Sequence, residues 1–145
     1  MSYSLDVNLL LYASDSESPQ HARARAFLME RPADPDLFCV SWLTLMAYQR
    51  MATHPGIFAS PLSPPKAWAN IQALLSLPRV HVIGEESSFA LDYTAATRAF
   101  SVRGNLVPDA HLAVILREHG VKRLYTTDVD FRKFDFLEVV NPLMN

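Results

Sequence analysis

Cysteine is almost missing from this chain: Cys39 stands alone, which excludes an internal disulfide and any thiolate zinc cluster. Long apolar runs are missing too. Half of the 145 residues are hydrophobic, yet no uninterrupted stretch approaches the ~20 residues that span a bilayer. The N-terminus, MSYSLDVN, has no basic stretch leading into an apolar segment, so no secretory signal is read there. These absences predict a reducing, cytoplasmic setting without membrane association. An excess of positive charge is also lacking, since 13 Lys and Arg face 15 Asp and Glu for a net charge of -2. Proteins that hold nucleic acid by bulk electrostatics are usually strongly basic, because each neutralised phosphate releases counterions. A nucleic-acid role here therefore needs a local basic patch, a bridging metal or a limited footprint. Repeats and low-complexity tracts are absent, and the length fits one domain over residues 1–145.

What is present is a regular alternation of short β-rich and amphipathic segments. Tyr3 to Asp6 reads as a strand running into a first helical turn over Val7–Ala13. Pro19 opens a helix to about Glu30, with Ala22, Ala26 and Leu28 or Met29 on its apolar side. Leu37–Val40 is a buried strand, and Ser41 caps a helix to about His54. After the loop GIFASPLSPP, Ser63 and its prolines start a helix through Leu75, followed by a strand over Arg79–Ile83. Ser87 or Ser88 begins a helix to about Phe100, which Arg103-Gly104-Asn105 breaks. Pro108 opens another that closes at Gly120, a left-handed cap after His119. Leu124–Thr127 is a fourth strand and Leu137–Val140 a short fifth. Strands alternating with helices predict an α/β/α sandwich with a central, mostly parallel sheet of four to five strands.

Ligands of such sheets bind beyond the carboxyl ends of the strands. Three acids fall there: Asp6 ends the first strand, Asp128 ends the fourth, and Asp109 lies in the first turn of the helix after Pro108. Asp130 follows two residues later. Any one of them alone is an ordinary turn or helix-start acid; their joint placement at one rim carries the argument. Carboxylates within ~4–6 Å of one another repel unless a cation neutralises them. Hard oxygen ligands without Cys or paired His suit Mg²⁺ or Mn²⁺, and a phosphodiester is the natural substrate of such a site.

These residues resemble the PIN-domain ribonucleases, specifically the VapC-type toxins of bacterial toxin–antitoxin pairs. The resemblance rests on SLDVNLLLYA at 4–13, WLTLMAYQRMATHPGIFASPLSPPKAW at 42–68, GNLVPDAHLAVILREHG at 104–120 and LYTTDVDFRKFDFL at 124–137. It implies a PIN sandwich, Mg²⁺-dependent endoribonuclease activity on structured RNA such as tRNA or rRNA, a homodimer and inhibition by a VapB-type antitoxin. Asp6, Asp109 and Asp128 match the family's metal-holding acids, with Asp130 as an auxiliary catalytic acid. A further family acid, commonly a Glu, falls on Ala47, which cannot bind metal. Its loss supports a second reading, a PIN-like protein-interaction module whose chemistry is weak or absent.

Asn8 fits contact with a metal-bound water or a plain cap, and Thr126 or Thr127 can orient such a water. Arg50, Arg98, Arg103, Arg132 and Lys133 are the candidates for phosphate contact. His54, a turn beyond Arg50, is better placed as a helix-end cation, and structural roles are expected for His111 and His119. Trp42, Trp68, Tyr48 and Phe100 fit core or partner surface better than base stacking, and Cys39 reads as a small buried hydrophobe.

Overall fold

The computed structural model describes residues 1–144. The elements in chain order are β1 Ser2–Leu5, α1 Val7–Ser14, α2 His21–Met29, β2 Leu37–Ser41, α3 Trp42–Ala52, α4 Pro64–Leu75, β3 Val80–Ile83, α5 Phe89–Ala96, α6 Leu106–Glu118, β4 Arg123–Tyr125 and β5 Glu138–Val140. Short 3-10 turns cover Arg31–Ala33 and Val129–Lys133. The strands form one sheet in the order β3-β2-β1-β4-β5, and every pairing is parallel. The predicted sheet is therefore present with all five strands. The order reverses around β1: the chain moves outward to β2 and β3, then returns to β4 on the other side. A ligand-binding crevice opens at such a point in a parallel sheet.

Strand alternation sends Tyr3, Leu5, Phe38 and Val40 to one face, where they pack with Leu9, Leu45, Tyr48 and Ile71 of the covering helices. Cys39 and Leu124 face the other side and meet Ala110, Leu112, Ala113 and Leu116 of α6. Cys39 is buried as a small hydrophobe, as its FCV context predicts.

Several predicted boundaries and one predicted face differ from the structure: α2 starts at His21 and not at Pro19, and α5 ends at Ala96, short of Phe100. Helix α6 starts at Leu106, two residues before Pro108. Gly104 adopts φ +59° and closes a turn in which Leu106 N–H donates to Arg103 O and Val107 N–H to Gly104 O. Pro108 then sits third in the helix, where its missing N–H would have had no intrahelical acceptor. Strand β4 stops at Tyr125 and not at Thr127, because Thr126 turns its hydroxyl into the site below. In α2 the buried residues are Ala24 and Phe27, whereas Ala22 and Ala26 are exposed. The alanines marked no face, and the one large apolar ring decided it. The helix end at Gly120 is as predicted: at φ +68° it lets Val121 N–H reach Leu116 O at 2.9 Å.

Candidate metal centre

The site is built on the ends of β1 and β4. Asp6 follows β1, and its N–H still donates to Tyr125 O at 2.9 Å, which fixes it at the carboxyl edge of the sheet. Its carboxylate caps α1, with Oδ1 accepting the Val7 N–H at 2.7 Å. Oδ2 accepts the Thr126 hydroxyl at 2.8 Å. Thr126 is 1 % exposed, and its Oγ1 also accepts the Asp128 N–H at 3.0 Å. One buried hydroxyl thus ties the acid after β1 to the acid after β4. Asp128 in turn caps the 3-10 turn, with Oδ1 accepting the Asp130 N–H at 2.9 Å. Asp109 enters from the first turn of α6, above the same edge.

Asp109, Asp128 and Asp130 each offer a carboxylate oxygen, and these ligand atoms lie within 4.8 Å of one another. Asp6 adjoins this group, since its charge acts on Asp109 and it is itself acted on by Asp128. The crowding is expressed in the acidities. Burial, then the charges of Asp128, Asp6 and Asp130, push the Asp109 carboxyl up to about 7, with Lys133 opposing. Burial and the Asp128 charge raise Asp6 as well, against the hydrogen bonds from Thr126 and Val7. Asn8, in the first turn of α1, donates from Nδ2 to Thr127 Oγ1 at 2.8 Å. Its Oδ1 is buried with no hydrogen-bond partner. A self-repelling set of hard oxygen donors, with one opposing lysine and an orphaned amide oxygen beside it, fits a divalent cation.

Of the basic candidates, two stand at this site. Lys133 is close enough to lower the Asp109 carboxyl, and Arg132 shares its 3-10 turn. Arg98 and Arg103 are exposed in the connection between α5 and α6, and Arg50 is exposed in the last turn of α3. Among the described residues no ion pair ties any of these five to an acid. The histidines are occupied elsewhere: His111 Nε2 meets Glu85 at 2.7 Å, and His119 Nε2 meets Gly84 O at 2.8 Å.

Ala47 lies one turn after Leu43, which packs toward the α6 side of the sheet, so it shares the flank of α3 that looks toward Asp109's helix. Of the two threonines expected near the site, Thr126 bridges the acids and Thr127 anchors Asn8. The available signal was a threonine two residues before a loop acid, the spacing at which a hydroxyl accepts a backbone N–H.

No family model matches the sequence. Curated proteins do. The chain is 37% identical over 142 residues to ribonuclease VapC48 of Mycobacterium tuberculosis, covering 98% of each. It is 31% identical to ribonuclease VapC24 of the same organism, over 97% of this chain and 96% of that one. Among solved structures, VapBC2 from Rickettsia felis, bound to a fragment of its promoter DNA, superposes with a TM-score of 0.70 at 16% identity, over 97% of this chain and 98% of that one. Mycobacterium tuberculosis VapC20, described as a sarcin-ricin loop cleaving toxin, gives 0.65 at 16% identity, over 90% and 92%. At these identities the structural likeness speaks for the fold.

Proposed function

The chain belongs to the VapC ribonuclease family, and from that premise we propose that it is a metal-dependent endoribonuclease acting as the toxin of a toxin–antitoxin pair. The observation that carries the reading is the cluster of Asp109, Asp128 and Asp130, set beside Asp6 at the switch point of the sheet. Asp6, Asp109 and Asp128 would hold the ion, with Asp130 assisting; the oxygen-only donor set favours Mg²⁺ or Mn²⁺. When bound, that ion supplies Lewis-acid polarisation of the phosphodiester and a more acidic attacking water. The chain's own residues supply the rest. Thr126 fixes the relative position of Asp6 and Asp128, and the first turn of α6 brings the half-buried Asp109 to them. Lys133 and Arg132 stand beside the site as phosphate contacts, and the exposed Arg98, Arg103 and Arg50 are further candidates, so local contacts would answer the low overall charge. Structured RNA, tRNA or rRNA, is the substrate class, and the cytoplasm is the place.

Two surfaces suit the expected partners. A groove of about 740 Å³ between α1, α2 and α4 has walls of Leu10, Leu28, Ile71 and Leu74 and a rim carrying Arg25 and Lys66. An amphipathic acidic segment of the antitoxin fits it. Another side is largely apolar: α5 carries a single acid, Asp92, and buries no residue, Leu91 is 76% exposed, and β3 is a sheet edge without an acid, lysine, arginine or proline to block it. We assign that side to a second copy of the chain.

The deciding experiment is cleavage of total RNA with Mg²⁺ or Mn²⁺ by wild type and Asp109→Asn. Metal-dependent cleavage lost in the variant is expected. A folded wild type without such activity would favour a protein-interaction module, the reading to which Ala47 lends weight.

A further inference from the structure

Asn8 is the residue at this centre whose hydrogen bonding is incomplete. Its amide nitrogen is anchored on Thr127 Oγ1, one residue before Asp128. A carboxamide is rigid and planar, so fixing Nδ2 leaves Oδ1 within a short reach of the same loop. That oxygen is buried and accepts nothing. A buried acceptor without a partner costs about 1–3 kcal/mol, and folded proteins rarely keep one without a use. Two residues earlier, Asp6 has one hydrogen bond on each carboxylate oxygen, from Val7 and from Thr126. On the flank of α3 turned toward α6, position 47 carries a methyl group and offers no oxygen.

Resting on the metal-dependent reading above, we propose that Asn8 Oδ1 is the neutral oxygen donor that serves the ion at this centre, directly or through one of its waters, in place of the carboxylate missing at position 47. A neutral donor there has a physical consequence. It adds a ligand without adding to the repulsion among Asp6, Asp109, Asp128 and Asp130, so the metal-free site is less self-repelling than one with a further acid. The predicted price is weaker ion binding, because an amide oxygen lacks the charge of a carboxylate. Asn8 then serves the ion itself, and its effect is read on the ion before it is read on RNA.

The test is Mn²⁺ titration by calorimetry, with thermal melts of the metal-free and Mn²⁺-loaded full chain, for wild type, Asn8→Leu, Asn8→Asp and Asp109→Asn. Leu matches the shape of Asn without its oxygen. Asn8→Leu should weaken Mn²⁺ binding about 10-fold or more, the usual range for groups that support a metal site. Its metal-free melting temperature should change little, since the orphaned acceptor goes together with the Nδ2 bond to Thr127. Asn8→Asp should tighten Mn²⁺ binding. Should Asn8→Leu fail to fold, Asn8→Asp still decides, because it keeps the shape and the oxygen, adds charge, and lets the Thr127 hydroxyl donate where it now accepts. Unchanged Mn²⁺ affinity in either folded variant overturns the proposal. If wild type and Asp109→Asn both ignore Mn²⁺, the metal reading itself falls, and this proposal with it.

Discussion

Asp109 sets the pH behaviour of the metal-free chain. Its carboxyl is raised from 3.8 to about 7 by burial and by its acidic neighbours. A raised acid binds a proton in the folded state that the unfolded chain has already lost. Its contribution to stability is therefore complete below 3.8 and disappears as pH rises through about 7. Metal-free melting temperatures of wild type should fall relative to Asp109→Asn as pH rises across that window. The stabilisation by Mn²⁺ should grow from about pH 6 to about pH 8, because proton and ion compete for one carboxyl. Parallel pH curves for the two proteins would remove Asp109 from the site. Thr126→Val keeps the shape but leaves Asp6 Oδ2 and the Asp128 N–H without their shared hydroxyl. A loss of about 1–3 kcal/mol in chemical denaturation is expected, with a steep fall in cleavage, and Thr126→Ser should restore both. Equal activity of Val and Ser variants would make the hydroxyl merely decorative.

At the scale of single elements, α3 carries the departure from the family pattern. Its start is well defined: Ser41 Oγ accepts the Leu43 N–H at 3.0 Å, and Thr44, Leu45, Tyr48 and Ala52 turn inward. That orientation leaves Ala47 on the flank shared with Leu43. Ala47→Glu should raise Mn²⁺ affinity, and it should do so more strongly in the Asn8→Leu background, where the competing donor is absent. Calorimetric titration of the two pairs gives the answer. If affinity is unchanged in well-folded proteins, position 47 looks elsewhere and the correspondence of this helix with the family acid is wrong. The same helix shows why its tryptophan was hard to place. Trp42 is 45% exposed and stacks on Trp68 of α4, 39% exposed, at 6.3 Å between ring centroids. Of the two expected roles, core is excluded and partner surface fits.

For the whole molecule, groove and apolar side lie on different elements, so the two partnerships are separable. Leu91→Glu should turn a dimer into a monomer in light scattering while leaving antitoxin binding in place. Lys66→Glu should do the reverse, weakening capture of an acidic antitoxin segment by about 0.5–2 kcal/mol without changing the oligomer. Loss of both properties in either variant would mean that the surfaces are coupled or that the fold is damaged.

The sequence by itself determined the elements and the short list of acids. Its period changes, caps and Gly120 mark where strands and helices lie, because those signals are local to a few residues. The motifs around Asp6, Asp109 and Asp128 could be picked out for the same reason: each acid ends a strand or starts a helix. Tertiary structure decided what local signals cannot carry. Ala22 and Ala26 looked like a core face until Phe27 claimed it, since alanine is tolerated on either side of a helix. Nothing local to Arg31 marks it for burial, yet its guanidinium lies 3.8 Å above the Phe27 ring and pairs with Asp34 at 3.3 Å. Thr126 became the brace of the site because β1 and β4, more than a hundred residues apart in sequence, pair edge to edge. Only that pairing lets a strand-end hydroxyl reach Asp6 Oδ2, and only the packing of α6 across it brings Asp109 close enough for its acidity to change.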